Sequence, residues 1–167
     1  VGDRAGLEAS FGRALGSLSV AYQPIVSWSQ RSVFGYEALV RTEEPTLPHP
    51  DALLGAAERL DRIHDVGRLV RARVAELPAR VPGDELLFVN LHPRDLADDT
   101  LLSPQAPLSK IARRVVLEIT ERATLHEVRD VRRRVASLRA LGFRIAIDDL
   151  GAGYAGLSSF ALLEPEV

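Results

Sequence analysis

The chain has 167 residues, 46% hydrophobic and 26% charged, with 21 basic and 23 acidic side chains and a formal charge of −2. This composition excludes a disordered chain and gives no general attraction to nucleic acid or anionic lipid. The absence of cysteine excludes a disulfide framework, a thiolate zinc site and a cysteine nucleophile.

No apolar run approaches the span of about 18 residues that a membrane helix needs, and no signal peptide is legible, so the chain reads as one cytoplasmic domain without membrane contact. It starts at Val1, contains no Met and stops at Glu166-Val167 without a closing helix, as expected of a piece of something longer.

Leu7, Phe11, Leu15 and Leu18 recur at helical spacing and predict an opening amphipathic helix. The apolar runs Val20 to Trp28 and Val33 to Val40, split by Ser29-Gln30-Arg31-Ser32, predict a hairpin. Asp51 is placed to cap one long helix, with the stripe Leu53, Ala57, Leu60, Ile63, Val66, Val70, Val74 and Leu77. Pro78 and Pro82-Gly83 end it. Leu86 to Leu91 predicts a strand, followed by an irregular stretch to about Lys110 and a strand at Val115 to Ile119. A helix over Glu127 to Leu141, stopped by Gly142, leads to a strand at Phe143 to Asp148. A Gly-rich turn and a short helix near Gly156 to Leu163 close the pattern. Strands alternating with helices predict a parallel α/β architecture.

Side chains alternate faces along a strand, so parity assigns each one a side. Leu87, Val89 and Leu91 share one face and Asn90 takes the other. Val115, Leu117 and Ile119 oppose Glu118, and Ile145 and Ile147 oppose Asp148. Glu37 shares its face with Leu39 and Arg41. Several strands therefore carry a polar residue near the C-terminal end, where parallel barrels build their active sites. Any one of these acids alone reads as a helix cap; the set with matching parity points to a cation. Three carboxylates and an amide oxygen suit a hard divalent ion such as Mg²⁺ or Mn²⁺. Asp149 is placed to hold a second ion, as in two-metal attack on phosphodiesters.

Tyr36-Glu37-Ala38-Leu39-Val40-Arg41 resembles the name-giving motif of EAL domains, the bacterial cyclic di-GMP phosphodiesterases. Tyr22-Gln23-Pro24-Ile25-Val26, Val89-Asn90-Leu91, Leu117-Glu118-Ile119-Thr120-Glu121 and Asp148-Asp149-Leu150-Gly151-Ala152-Gly153-Tyr154 continue the resemblance in order. It implies a TIM-like (β/α)8 barrel whose first strand runs antiparallel. Residues 1–167 would supply only about the first five strands, stopping before the family's Lys-x-Asp motif. It also implies hydrolysis of cyclic di-GMP to linear pGpG by two Mg²⁺ or Mn²⁺ ions. Glu37, Asn90, Glu118 and Asp148 resemble first-metal ligands, and Asp149 resembles the residue serving the second metal. Glu121 resembles the anchor of the loop after the fifth strand. Gln23 and Arg41 resemble substrate contacts.

Departures from the family are Leu150, Ala152, Ala155-Gly156 and His92, which stand where Phe, Thr, a Ser pair and Ser are usual. The altered loop is the one through which a homodimer would form. His92 shares the parity of Asn90 and reads as a partly exposed loop residue without a metal role. Sensory or cyclase modules are the expected companions of such a domain. The truncated chain alone is expected to be inactive, and the alternative to the enzyme is a receptor that binds cyclic di-GMP or a protein partner without hydrolysis. Gly151 to Gly156 also matches the dinucleotide fingerprint G-x-G-x-x-G, but Asp148 and Asp149 directly before it would repel a pyrophosphate. Arg132-Arg133-Arg134 reads as a solvated helix face, and His49, His64 and His126 receive no role.

Overall fold

The computed structural model describes residues 2–77, 83–120, 128–148 and 163–165. Helix α1 (Gly2–Gly16) leads into an antiparallel hairpin of β1 (Ser19–Ser27) and β2 (Ser32–Arg41). Two helices follow, α2 (Pro50–Arg59) and α3 (Ile63–Ala75). Then come β3 (Leu86–Leu91), two 3₁₀ segments (Pro93–Ala97 and Leu108–Arg114), β4 (Val115–Thr120), α4 (Val131–Leu141) and β5 (Arg144–Asp148). The sheet order is β1-β2-β3-β4-β5, and every pairing after the first hairpin is parallel. This is a partial barrel, with the first strand antiparallel as expected.

The period of two separates the sheet's faces. Leu87, Val89, Leu91, Val115, Leu117, Ile119 and Ile145 point outward and pack with the helices in the main core. Leu86, Phe88, Val116 and Ala146 form a second buried layer on the inner face, with Ile25 beside it. Gly35 sits under this layer: a Cβ there would lie 2.7 Å from the Leu86 carbonyl oxygen and 3.0 Å from the Phe88 ring. The polar strand-end residues stand above the inner layer, so the apolar side chains beneath them form a dry floor.

The single long helix expected from Asp51 is instead two. Asp61 has a left-handed backbone (φ 56) and closes α2 with paired bonds, Asp61 N–H to Glu58 O and Arg62 N–H to Ala57 O. The Leu60 to Ile63 step keeps the apolar stripe in phase across this turn, and all its members through Val74 are buried. Asp51 lies within the first turn of α2, where its charge suits the helix dipole, while His49 holds the cap position. Helix α4 starts at Val131, after the left-handed Asp130 (φ 56), and the expected start at Glu127 lies outside the described residues. Gly142 ends it with φ 106, as expected. The expected helix near Gly156 to Leu163 lies outside the described residues apart from Leu163.

A buried polar network ties α3 to the segment after β3. Arg68 makes two hydrogen bonds to Asp98, at 3.0 and 2.9 Å, and Arg71 donates to it at 2.7 Å. Burial alone would raise the Asp98 pKa, but the Arg68 and Thr100 hydrogen bonds outweigh it and hold the carboxyl well below its usual range. His64 Nδ1 lies 3.2 Å from Asp95 Oδ1, and Arg71 Nη1 lies 3.4 Å from the same oxygen. His64 therefore has a structural partner that its sequence context did not reveal. Arg134, expected on a solvated face, is half-buried and donates to Asp99 at 3.0 Å.

Gly67 makes room for this network, since a Cβ there would lie 2.3 Å from Asp95 Oδ2. Gly67→Ala should gain about 1 kcal/mol of helix propensity. Displacing the buried Asp95 should cost about 3 kcal/mol. A net loss of roughly 2 kcal/mol in urea unfolding is expected; a stabilised variant would show that Asp95 moves aside freely.

Candidate metal centre

The register sets the site. Gln23 of β1 lies opposite Glu37 of β2, and Asn90 of β3 lies beside Glu118 of β4. Asp148 ends β5 beside Thr120, one pleat further along. Glu37, Asn90, Glu118 and Asp148 thus stand together at the C-terminal end of the inner face. Of these four, Asn90 and Glu118 are in register on strands about 4.8 Å apart, while Glu37 pairs with Phe88 and Asp148 with Thr120.

Asn90 Nδ2 donates to Glu37 Oε1 at 3.1 Å. That bond uses the donor end of the amide and leaves its oxygen for a cation. Glu118 is half-buried, and its pKa is pushed up to about 7 by burial first, then by the charges of Glu37 and Asp148. Burial and two neighbouring acids disfavour the charged form of Glu118, a penalty that a bound divalent cation would relieve. Oxygen-only donors fit Mg²⁺, Mn²⁺ or Ca²⁺ and fit no thiophilic metal.

A cavity of about 330 Å³ opens beside the site, between the ends of β2 and β3 and the helices α2 and α3. Glu37, Asn90 and Asp148 line its polar side, and Leu53, Leu54 and Val66 line its apolar side. Gln23 is exposed across the hairpin from Glu37. Arg41 is exposed at the end of β2 and donates to the Val40 carbonyl at 2.8 Å. Asp149 and Glu121 lie outside the described residues, as does the loop carrying Leu150 to Gly156.

Among the described residues, the grouping whose ligand atoms all lie within 4.8 Å of one another is a different one, His64, Asp95 and Asp98; the strand-end acids stand further apart than that. Arg68 and Arg71 already neutralise those two carboxylates, so the cluster is an ion-paired joint.

The strand-end carboxylates, their order along the chain and the antiparallel first strand all coincide with one family, whose EAL domain model matches residues 7–167. The chain belongs to the EAL domain family. A probable cyclic di-GMP phosphodiesterase of Escherichia coli, PdeN, is 32% identical over 151 residues, covering 83% of this chain and 28% of the relative. A signalling protein of Caulobacter vibrioides is 33% identical over 162 residues, covering 89% of this chain and 19% of the relative. BlrP1 of Klebsiella pneumoniae, solved with calcium and cyclic di-GMP, superposes with a TM-score of 0.71 at 29% identity, covering 92% of this chain and 40% of that one. The PaMucR phosphodiesterase bound to cyclic di-GMP gives 0.72 at 26% identity, covering 96% of this EAL chain and 70% of that one. This chain spans less than two fifths of the first curated relatives it matches. Among the described residues, no helix of this EAL chain is long and apolar enough to cross a membrane.

Proposed function

We propose that this chain is the N-terminal, five-strand part of an EAL barrel that hydrolyses cyclic di-GMP to linear pGpG. The reading is carried by the convergence of Glu37, Asn90, Glu118 and Asp148 on one strand-end face, with Glu118 raised to about 7 by burial and then by its acidic neighbours. Those four residues would hold one divalent ion, and Asp149 would serve a second. When bound, such ions polarise the phosphodiester and lower the pKa of an attacking water. The reaction joins the water oxygen to phosphorus, breaks the bond to the 3′ oxygen and leaves the proton on that oxygen.

The chain's own groups bind and orient. Asn90 holds Glu37 through its amide hydrogen bond, which fixes one carboxylate before an ion arrives. Arg41 carries a planar fork of donors suited to a phosphate, and Gln23 stands across from Glu37 to meet the same ligand. Glu121 would anchor the loop after β5. The apolar walls of the adjacent cavity suit a nucleobase.

Related EAL structures hold manganese or calcium together with cyclic di-GMP, which supports a metal-dependent reaction here. A relative named as a blue light- and temperature-regulated antirepressor, BluF of Escherichia coli, supports the receptor as the competing reading, at 25% identity over 87% of this chain. It also supports regulatory modules as companions of the domain.

The test is release of pGpG from cyclic di-GMP with Mn²⁺, then with EDTA, on this chain and on a polypeptide carrying the remaining strands of the barrel. Turnover by the longer form that EDTA abolishes is the expected result. Binding of the nucleotide without turnover in either form would replace the enzyme with the receptor.

A further inference from the structure

His92 stands two residues beyond Asn90, lines the same cavity as Glu37 and Asp148, and would be the first residue suspected as an additional metal ligand. Its ring is already committed. Nδ1 accepts the Arg94 backbone N–H at 3.2 Å, capping the 3₁₀ segment that begins at Pro93. The neutral ring therefore carries its proton on Nε2, which donates to Glu58 Oε1 at 3.1 Å. Neither nitrogen keeps a lone pair for a cation. Only 15% of the side chain is exposed, so the imidazole is part of the cavity wall.

Glu58 belongs to the last turn of α2, and the same helix gives Leu53 and Leu54 to the opposite wall of the cavity. The His92–Glu58 bond consequently spans from the strand end that carries Asn90 to the helix that faces it. Arg94 reinforces the strap by pairing with Asp61 in the turn after α2.

We infer that His92 is a positioning residue, which through Glu58 sets the distance between α2 and the carboxylate row and thereby tunes nucleotide binding without touching metal. The inference rests on the cyclic di-GMP reading above. It is specific to this pair: the hydrogen bond reaches an exposed glutamate, so its loss should loosen one wall and leave the fold intact.

The test places His92→Asn, Glu58→Ala and Glu58→Gln in a polypeptide carrying the remaining strands of the barrel and compares them with that polypeptide unaltered. Asparagine keeps an oxygen to cap the Arg94 N–H but does not reach Glu58, and glutamine at 58 keeps the acceptor while removing the charge. His92→Asn and Glu58→Ala should each weaken cyclic di-GMP binding about fivefold in the presence of Ca²⁺, the effect of losing one hydrogen bond. The double variant should be no weaker than either single one. Glu58→Gln should restore the unaltered affinity. Ca²⁺ affinity, measured without nucleotide, should stay constant throughout, and the amides of residues 53–58 should exchange faster in the two weakened variants.

A loss of Ca²⁺ affinity in His92→Asn would make the ring a metal ligand and overturn the inference. Unchanged nucleotide affinity in the variants would overturn it too. If the barrel-complete polypeptide without these substitutions binds no cyclic di-GMP with Ca²⁺, the nucleotide reading fails by itself. The exchange rates then decide the strap: faster exchange over 53–58 upholds it and unchanged exchange overturns it.

Discussion

Glu118→Gln is expected to make the metal-free protein more stable at pH 8, by about 2 kcal/mol, and to leave it unchanged at pH 4. The sign follows from the direction of the shift. The Glu118 carboxyl titrates at about 7 in the folded chain against its ordinary 4.5, because burial and then the charges of Glu37 and Asp148 disfavour ionisation. Below pH 4.5 it is protonated in both states and costs nothing. Between 4.5 and about 7 the unfolded chain releases the proton first, so stability falls as pH rises; above about 7 the penalty is constant. The full shift corresponds to roughly 3 kcal/mol, reduced here because the half-buried group is partly screened by water. Glutamine mimics the protonated form at every pH and escapes the penalty. Urea unfolding in EDTA at pH 4, 6 and 8 reads the effect, and equal stability of the two proteins at pH 8 would remove the electrostatic account of the site.

The same shift predicts how a cation binds. An ion entering the carboxylate row must displace the Glu118 proton, so Mn²⁺ affinity should rise by up to about tenfold per pH unit below pH 7 and level off above it. The Gln variant should lose most of this dependence.

Glu37→Ala carries the largest expected effect on function. It removes one carboxylate from the row and releases Asn90, whose amide donates to Glu37 Oε1. Changes to groups that merely support a metal ligand cost about 10–100-fold, so loss of a ligand should lower Mn²⁺-dependent hydrolysis by a barrel-complete polypeptide at least about 100-fold. Folding should survive, since the substitution also takes away one of the charges that burden Glu118. Leu117→Ala makes the opposite case on the outer face of β4: a fully buried side chain whose removal should cost about 2–5 kcal/mol without acting on the acids. Full activity in Glu37→Ala would defeat the proposed centre.

The sheet was legible because its signals are local. Each strand is a short apolar run in which a single Asn, Glu or Asp breaks the pattern, and parity alone put Asn90, Glu118 and Asp148 on the inner face. The break between α2 and α3 was not legible, since a three-residue step keeps the stripe in phase and a left-handed Asp61 lacks the glycine that usually marks such a turn. The network around Asp98 was missed for a different reason. His64, Arg68 and Arg71 follow one another at helical spacing and could have been read as a polar stripe on α3, but their acidic partners lie about 30 residues away and only the fold brings them together. The strap from His92 to Glu58 is hidden in the same way.

The order β1-β2-β3-β4-β5 has a consequence for the birth of the chain. Among the described strands, each one after β1 pairs with its predecessor in sequence. A nascent chain leaving the ribosome at about 5–20 residues per second can close the β1–β2 hairpin first and then add β3, β4 and β5 as each emerges. Only the hairpin closes locally; the parallel pairings span longer stretches, Gly35 to Leu86 among them, so assembly is ordered along the chain with its slower steps at β3, β4 and β5.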